Sequence, residues 1–169
     1  MALRTILIPY DGSAQADDLL RLACEEVGGD GRVVALYVTR VPPSLPLDPL
    51  PARVDAAGND ALDHAERVTR PYDGVVETRL TRARHVADAI VGEARETGAD
   101  AIYMPLGQGS IWRRWRRARA AWRIARRAPC RVLLCYVPAL DDLDAATAPH
   151  TGSGQGREHE WPAPPRLRT

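Results

Sequence analysis

The feature that most constrains the fold is a regular alternation of short apolar runs with segments of helical periodicity. Four runs of strand length are almost wholly apolar and lie at 5–8, 33–38, 101–104 and 132–137. A fifth run, at 75–80, mixes valine and leucine with polar residues. The four segments between them have apolar residues at helical spacing, at 14–27, 52–70, 86–97 and 111–128. Short apolar strands separated by helices indicate a parallel sheet with helices on both faces and right-handed crossovers. The sequence therefore predicts a single α/β domain with a five-stranded sheet.

The length and the composition near the carboxyl terminus predict one domain followed by a tail. The 169 residues make one ordinary domain with some chain to spare. After Val137, prolines and glycines are spread among polar residues, a composition typical of disorder. We therefore predict a folded domain over 2–138 and a disordered tail over 139–169.

Membrane and secretory proteins are disfavoured classes. No apolar run approaches the ~18–20 residues that a membrane span needs, and the amino terminus has no apolar run ahead of a small-residue cleavage site. The three cysteines, Cys24, Cys130 and Cys135, form no CxxC pair, which fits a reducing compartment. A cytoplasmic location is expected.

The charge of the chain is unevenly distributed. Residues 101–140 contain no Asp or Glu and nine arginines, against a net charge of +1 for the whole chain. The rest of the chain is therefore acidic, and the molecule is expected to present anions with one preferred face.

Two loops are candidates for a ligand site. In an open α/β sheet, ligands bind beyond the carboxyl ends of the strands, where the strand order reverses. Asp11 follows the first strand, and the loop Gly107-Gln108-Gly109-Ser110 follows the fourth. If those strands flank the reversal, both loops face one crevice. Asp11 before Gly12 is also ordinary turn chemistry, and a loop with two glycines is either an anion-binding nest or a plain surface loop.

Three separated stretches resemble the universal stress protein family. They are ILIPYDGS at 6–13, GADAIYM at 98–104 and RRAPCRVLL at 126–134. They occur in the family's order, and the resemblance covers roughly residues 3–138. It implies an adenine nucleotide alpha hydrolase-like, Rossmann-like fold with a doubly wound sheet of order 3-2-1-4-5, which would place the first and fourth strands at the reversal.

The resemblance also implies where a nucleotide would bind. In ATP-binding members, the aspartate after the first strand contacts the nucleoside, which is Asp11 here. The end of the second strand, at Val38, would offer backbone to the base. The phosphates would lie on a G-x-x-G-x9-G-[ST] motif directly after Met104.

This chain departs from that phosphate motif at every defining position. The four positions hold Pro105, Gln108, Ala118 and Arg119. Proline has no N–H and fixes its own φ, and glycine allows backbone conformations and close anion approach that other residues do not. We therefore expect ATP binding with magnesium to be lost or greatly weakened, and no cofactor to be retained.

The arginine-rich segment 111–131 has several interpretations. Ile111, Trp115, Ala118, Trp122 and Ala125 fall on one helical face, which predicts an amphipathic helix with inward tryptophans and a solvated basic face. Alternatively, arginine side chains hold a phosphorylated small molecule in place of the glycine backbone. Residues that would then bind the ligand are Asp11, Val38, Met104, Gly107, Gly109, Ser110, Arg113, Arg114 and Arg119. Arginine with tryptophan could also bind single-stranded nucleic acid or an anionic membrane surface, both less favoured.

Catalysis and metal binding have no sequence signature. The four histidines are scattered without metal-ligand spacing, and neither a G-x-S-x-G elbow nor a Ser-His-acid order occurs. No catalytic or metal-binding residue is predicted, although weak nucleotide hydrolysis stays open.

The last strand is a candidate interface. In the order 3-2-1-4-5 it lies at the sheet edge, and an uncovered apolar edge pairs readily with another chain. Universal stress protein folds commonly dimerise through this strand. We therefore expect a homodimer whose interface is formed by Val132, Leu133, Leu134, Cys135, Tyr136 and Val137. The sequence as a whole predicts a non-catalytic, dimeric stress-response module, with unidentified protein partners.

Overall fold

The computed structural model describes residues 3–46, 55–72, 75–105 and 119–135. They form five strands and four helices in alternating order: β1 (Thr5–Pro9), α1 (Ala14–Val27), β2 (Arg32–Arg40), α2 (Ala56–Thr69), β3 (Val76–Ala83), α3 (Val86–Glu96), β4 (Ala101–Pro105), α4 (Arg119–Arg127) and β5 (Arg131–Cys135). One turn of 3-10 helix, Arg70–Tyr72, follows α2. The predicted tail, 139–169, lies outside the described residues.

The strands form one parallel sheet in the order β3-β2-β1-β4-β5. Strand β1 lies at the centre, where Ile6 is in register with Val33 of β2 and with Ala101 of β4. The chain moves outward from β1 in one direction through β2 and β3, and in the other through β4 and β5. This confirms the predicted fold class and places the reversal of strand order between β1 and β4.

Each face of the sheet packs against two helices, because alternate residues of the central strands point to opposite sides. On one face, Ile6 and Ile8 pack with Leu19 and Leu20 of α1 and Leu62 of α2. On the other, the core joins the sheet to α3 and α4, and it contains Leu7, Val34, Ile90, Ile102 and Ile124. The burial of both faces explains why the central strands read as continuous apolar runs.

The ends of several elements differ from the sequence prediction. Strand β2 extends to Arg40 and β3 to Ala83. The two strands stay paired in register up to these residues. Strand β4 includes Pro105, one residue beyond the apolar run at 101–104. Proline lacks the N–H that a further ladder hydrogen bond would need, and it stands at the last position of the strand.

The orientation predicted for α4 was wrong in the described part. Trp122 was expected to point inward with Ala125, but Trp122 is 60% exposed and Ala125 is also exposed. The inward side is instead formed by Ala121, Ile124 and Ala128, of which Ile124 is fully buried. These three recur at i, i+3 and i+7, so they share one helical face. Trp115 and the rest of 111–118 lie outside the described residues.

Candidate functional site

The carboxyl ends of β1 and β4 flank the reversal of strand order, where ligands bind in sheets of this type. The loop 10–13 follows β1, and β4 ends at Pro105. The structure therefore places Asp11 and the end of β4 at the same edge of the sheet, on adjacent strands. This arrangement is the geometric basis for treating the crevice as the candidate site.

Asp11 makes the turn that begins α1. Its Oδ1 accepts a hydrogen bond from the Ser13 N–H at 3.1 Å, and Gly12 between them has φ +76°. The Ser13 hydroxyl then caps α1 by accepting from the Ala16 N–H at 3.3 Å. Oδ2 of Asp11 accepts no hydrogen bond from the described residues, and the side chain is partly exposed. One oxygen of Asp11 thus supports the turn, and the other is available to a ligand.

A partly buried polar network involves this loop and the two helices beside it. The Tyr10 hydroxyl donates to Oδ1 of Asp17, and Nε2 of His64 lies 2.9 Å from Oδ2 of the same carboxylate. Tyr10 is buried, and burial, followed by the hydrogen bond to Asp17, raises the pKa of its phenol well above the usual range. The network joins the loop after β1 to α1 and α2, so it fixes the position of the loop.

A second polar cluster lies at the same edge of the sheet, at the end of β2. Arg82 of β3 donates to Oδ2 of Asp55 through Nε at 2.9 Å and through Nη2. These hydrogen bonds lower the pKa of Asp55 against the opposing effect of its burial. Thr39 Oγ1 and Asp55 Oδ1 are both buried and make no hydrogen bond of standard geometry within the described residues. The nearby Thr39 hydroxyl nevertheless contributes to the lowered pKa of Asp55.

Sequence reasoning missed both polar clusters. Tyr10 and His64 meet at Asp17 from three different elements, and Asp55 and Arg82 are 27 residues apart. The only local signal was Asp17 in the first turn of α1, where a carboxylate suits the helix dipole. No spacing rule connects the others.

The residues predicted at the ends of β2 and β4 lie in different surroundings. Val38 is half-buried and packs against the core on the α3 side of the sheet. Met104 is buried in that same core, so its side chain belongs to the packing. Pro105 is buried and is in register with Cys135 of β5. Pro105 has no N–H to donate at the position where the resemblance predicts the first glycine of a phosphate motif.

The remaining predicted ligand residues are outside the structural description. Gly107, Gly109, Ser110, Arg113 and Arg114 lie outside the described residues. Arg119 begins α4, but its side chain is not among those described. Their proposed roles stay predictions.

The edge strand β5 exposes apolar side chains. Leu134 is 54% exposed and Leu133 is also exposed, whereas Val132 and Cys135 are partly buried against the two cores. Beyond β5 no further strand pairs with it among the described residues. Tyr136 and Val137 lie outside them, so the predicted interface is visible from Val132 to Cys135.

Clusters of metal ligands and membrane-spanning helices are both absent from the described ranges. No group of three or more His, Cys, Asp or Glu there is arranged to hold a metal ion. None of the helices in that part of the chain is long and apolar enough to cross a membrane.

Residues 2–135 match the family model described as the universal stress protein family. Among solved structures, the chain is similar to a protein of this family from Burkholderia pseudomallei, with 29% identity, 80% of this chain and 96% of that one covered, and a TM-score of 0.54. Among curated protein sequences, none matches this chain.

Two further solved structures share the fold at lower identity. One is the universal stress protein from Archaeoglobus fulgidus in complex with dAMP, with 19% identity, coverage of 79% and 98%, and a TM-score of 0.59. The other is a universal stress protein in complex with cAMP, with 21% identity, coverage of 79% and 97%, and a TM-score of 0.53.

Proposed function

Because the chain belongs to the universal stress protein family, we propose that it is a non-catalytic, dimeric regulatory module whose ATP-binding loop no longer holds a triphosphate. The observation that carries this proposal is Pro105, which closes β4 at the reversal of strand order. In an ATP-binding member, that position begins the phosphate loop with glycine.

Proline changes this position in two ways. It removes the backbone N–H, and its ring fixes φ near −65°. A hydrogen bond from a neutral donor to a charged group contributes about 1.5–3 kcal/mol, so each lost phosphate contact weakens binding by about 10- to 150-fold. At Gln108 and Ala118 a side chain stands where the motif has glycine, which hinders the close approach of backbone to phosphate.

A second candidate function is the binding of a smaller phosphorylated nucleoside. Oδ2 of Asp11 is unused within the described residues, and Asp11 lies at the crevice. The two neighbours that share the fold were solved with dAMP and cAMP, each of which carries a single phosphate. A ligand of this class needs Asp11 and few contacts to the altered loop, and arginines of 113–119 would neutralise its phosphate.

Calorimetric titration with ATP and magnesium, AMP and cAMP separates these functions. The wild-type protein is expected to bind ATP no more tightly than millimolar, and micromolar ATP binding would refute the proposal. If AMP or cAMP binds, Asp11→Asn is expected to weaken it. Mass spectrometry of small molecules extracted from the purified protein identifies any ligand that is retained.

A gain-of-function variant tests the role of Pro105 directly. Restoring the whole motif with Pro105→Gly, Gln108→Gly, Ala118→Gly and Arg119→Ser is expected to produce measurable ATP binding. The matched control restores the last three positions and keeps Pro105, and we expect it to bind markedly less. Equal ATP binding by the two variants would show that Pro105 does not block the site.

The dimer is proposed to form through β5. Its free edge and its exposed Leu133 and Leu134 favour pairing with a second copy. Sedimentation of the wild type is expected to give a dimer, and Leu134→Glu is expected to shift it to monomer. Leu45→Glu is the control, because Leu45 is 38% exposed in the segment after β2, and β2 is separated from β5 by β1 and β4. A monomeric wild type would refute this interface.

A further inference from the structure

The outward side of α4 carries an unusual pair of side chains. Trp122 is 60% exposed, and Cζ of Arg126 lies 4.5 Å from the centroid of its ring. The two residues are one helical turn apart, the spacing at which side chains on a helix surface meet. A cation over an aromatic face is attracted by the ring's quadrupole. Arg126 therefore holds one face of Trp122 while the ring stays exposed to solvent.

Exposure of this tryptophan follows from the packing of α4. Ile124 is fully buried against the sheet, and Trp122 precedes it by two residues, or about 200° around a helix of 3.6 residues per turn. While Ile124 remains in the core, Trp122 must point away from the sheet. Its apolar ring contributes nothing to the core of the described domain, which leaves a role at the surface.

The charged residues of α4 are all arginines. Arg123 and Arg126 are exposed, and within the described residues neither is paired with a carboxylate. Arg127 is the residue of α4 with an ion pair there, to Asp88 of α3 at 2.6 Å. No acidic residue occurs anywhere in 101–140. The surface around the exposed ring is thus suited to a polyanion.

We propose that the outward face of α4, formed by Trp122, Arg123 and Arg126, binds single-stranded nucleic acid. A base would stack on the ring of Trp122, and the two arginines would contact adjacent phosphates. Grooves that bind single strands without sequence preference combine these two elements, aromatic platforms and positive charge. Duplex bases are already stacked on each other, so a surface tryptophan gains little from a duplex.

An anionic membrane fits this surface less well. A helix that lies in a membrane interface needs a broad apolar face to bury. The apolar side of α4 in the described part is already packed on the sheet through Ala121, Ile124 and Ala128. On the outward side, Trp122 is the one large apolar residue among those described. The observations therefore favour nucleic acid.

The test is a fluorescence anisotropy titration of a labelled single-stranded RNA of mixed sequence, with the same sequence as a duplex and as single-stranded DNA. We expect the wild type to bind a single strand more tightly than the duplex. Trp122→Ala is expected to weaken binding by about 5- to 150-fold, the loss of one base stack, whereas Trp122→Phe keeps most of the affinity. Trp122 is exposed, so neither change should disturb folding, which circular dichroism checks.

The salt dependence tests the role of the arginines. Arg123→Ala is expected to reduce the slope of log affinity against log salt by about 0.7, the value for one phosphate contact on a single strand. Arg67→Ala is the matched control, because Arg67 is an exposed arginine of α2 on the opposite face of the sheet. It should leave both the affinity and the slope nearly unchanged.

Several results would overturn the proposal. The first two are an absence of binding to either single strand at low salt and a preference for the duplex. The third is an equal loss of affinity in Trp122→Ala and Arg67→Ala. The fourth is Trp122-dependent binding to anionic vesicles without binding to RNA or DNA. The face formed by Trp122, Arg123 and Arg126 includes none of the residues proposed to bind a nucleotide beside Asp11. Failure here therefore leaves the proposed function intact, and an ATP-binding crevice would leave this inference intact.

Discussion

Replacing Asp55 with asparagine tests whether the cluster at the end of β2 stabilises the fold through charge. Asp55 is 7% exposed and accepts two hydrogen bonds from Arg82. It is also the N-cap residue of α2, although its side chain makes no capping hydrogen bond. Asp55→Asn keeps the shape of the side chain and an acceptor oxygen but removes the negative charge.

The expected cost follows from these contacts. Breaking a fully buried ion pair costs about 3–5 kcal/mol, but the Arg82 side chain is 35% exposed and can regain water. Asparagine also retains a neutral hydrogen bond in place of a charged one. The loss of the carboxylate from the amino terminus of α2 adds about 0.3–1 kcal/mol. The weakened ion pair and the lost helix-terminal charge together should lower the free energy of unfolding by about 2 kcal/mol at neutral pH.

The pH dependence has a definite sign. The hydrogen bonds from Arg82 lower the pKa of Asp55 in the folded state. The stabilisation is therefore complete above the pKa of an unfolded aspartate, near 3.9, and is lost as the pH falls through the lower folded pKa. Asp55→Asn has no such titration, so the difference between the two proteins should shrink below about pH 4.

Urea unfolding at a series of pH values from neutral to acid measures this difference. Asp18→Asn is the matched control, because Asp18 forms an exposed ion pair with Arg21 at 2.8 Å, and it should cost about 0.5 kcal/mol or less. The charge-based explanation is refuted if Asp55→Asn costs no more than Asp18→Asn at neutral pH. It is also refuted if the cost of Asp55→Asn stays constant down to acid pH.

Three further predictions concern folding and reactivity. Ile124→Ala should lower the free energy of unfolding by about 2–5 kcal/mol in urea melts, whereas Trp122→Ala should change it by about 0.5 kcal/mol or less; equal costs would contradict the orientation of α4. Gly12→Ala should cost about 1–2 kcal/mol because its φ is +76°, and Gly29→Ala, with open space around the added carbon, should cost less in the same assay. Burial raises the pKa of the Cys24 thiol to about 11. Labelling of Cys24 with Ellman's reagent near pH 8 should therefore require unfolding. Rapid labelling of Cys24 in the native protein would contradict its burial.

The sheet was predictable because its signal is local and repeated. Apolar runs between helical segments specify a parallel α/β sheet, and the three motif stretches supplied the strand order that the structure has. The mixed sequence of β3 fits its place at the edge of the sheet. By contrast, the facing of α4 was mispredicted, since Trp122 and Ala125 form as regular a stripe as Ala121 and Ile124 do. A helical period shows that a helix has an apolar side, but in α4 two different sides carry apolar residues at helical spacing.

The candidate site, too, could be predicted from the sequence only in part. Sequence alone determined that Pro105 has no N–H, that Asp11 precedes a turn glycine, and that 101–140 is purely basic, since these properties belong to the residues wherever the chain places them. Tertiary structure decided that Tyr10 and His64 meet at Asp17, that Arg82 neutralises Asp55, and that Ile124 rather than Trp122 enters the core. Those contacts join residues far apart in the chain, so they depend on how whole helices and strands pack, which no local spacing encodes.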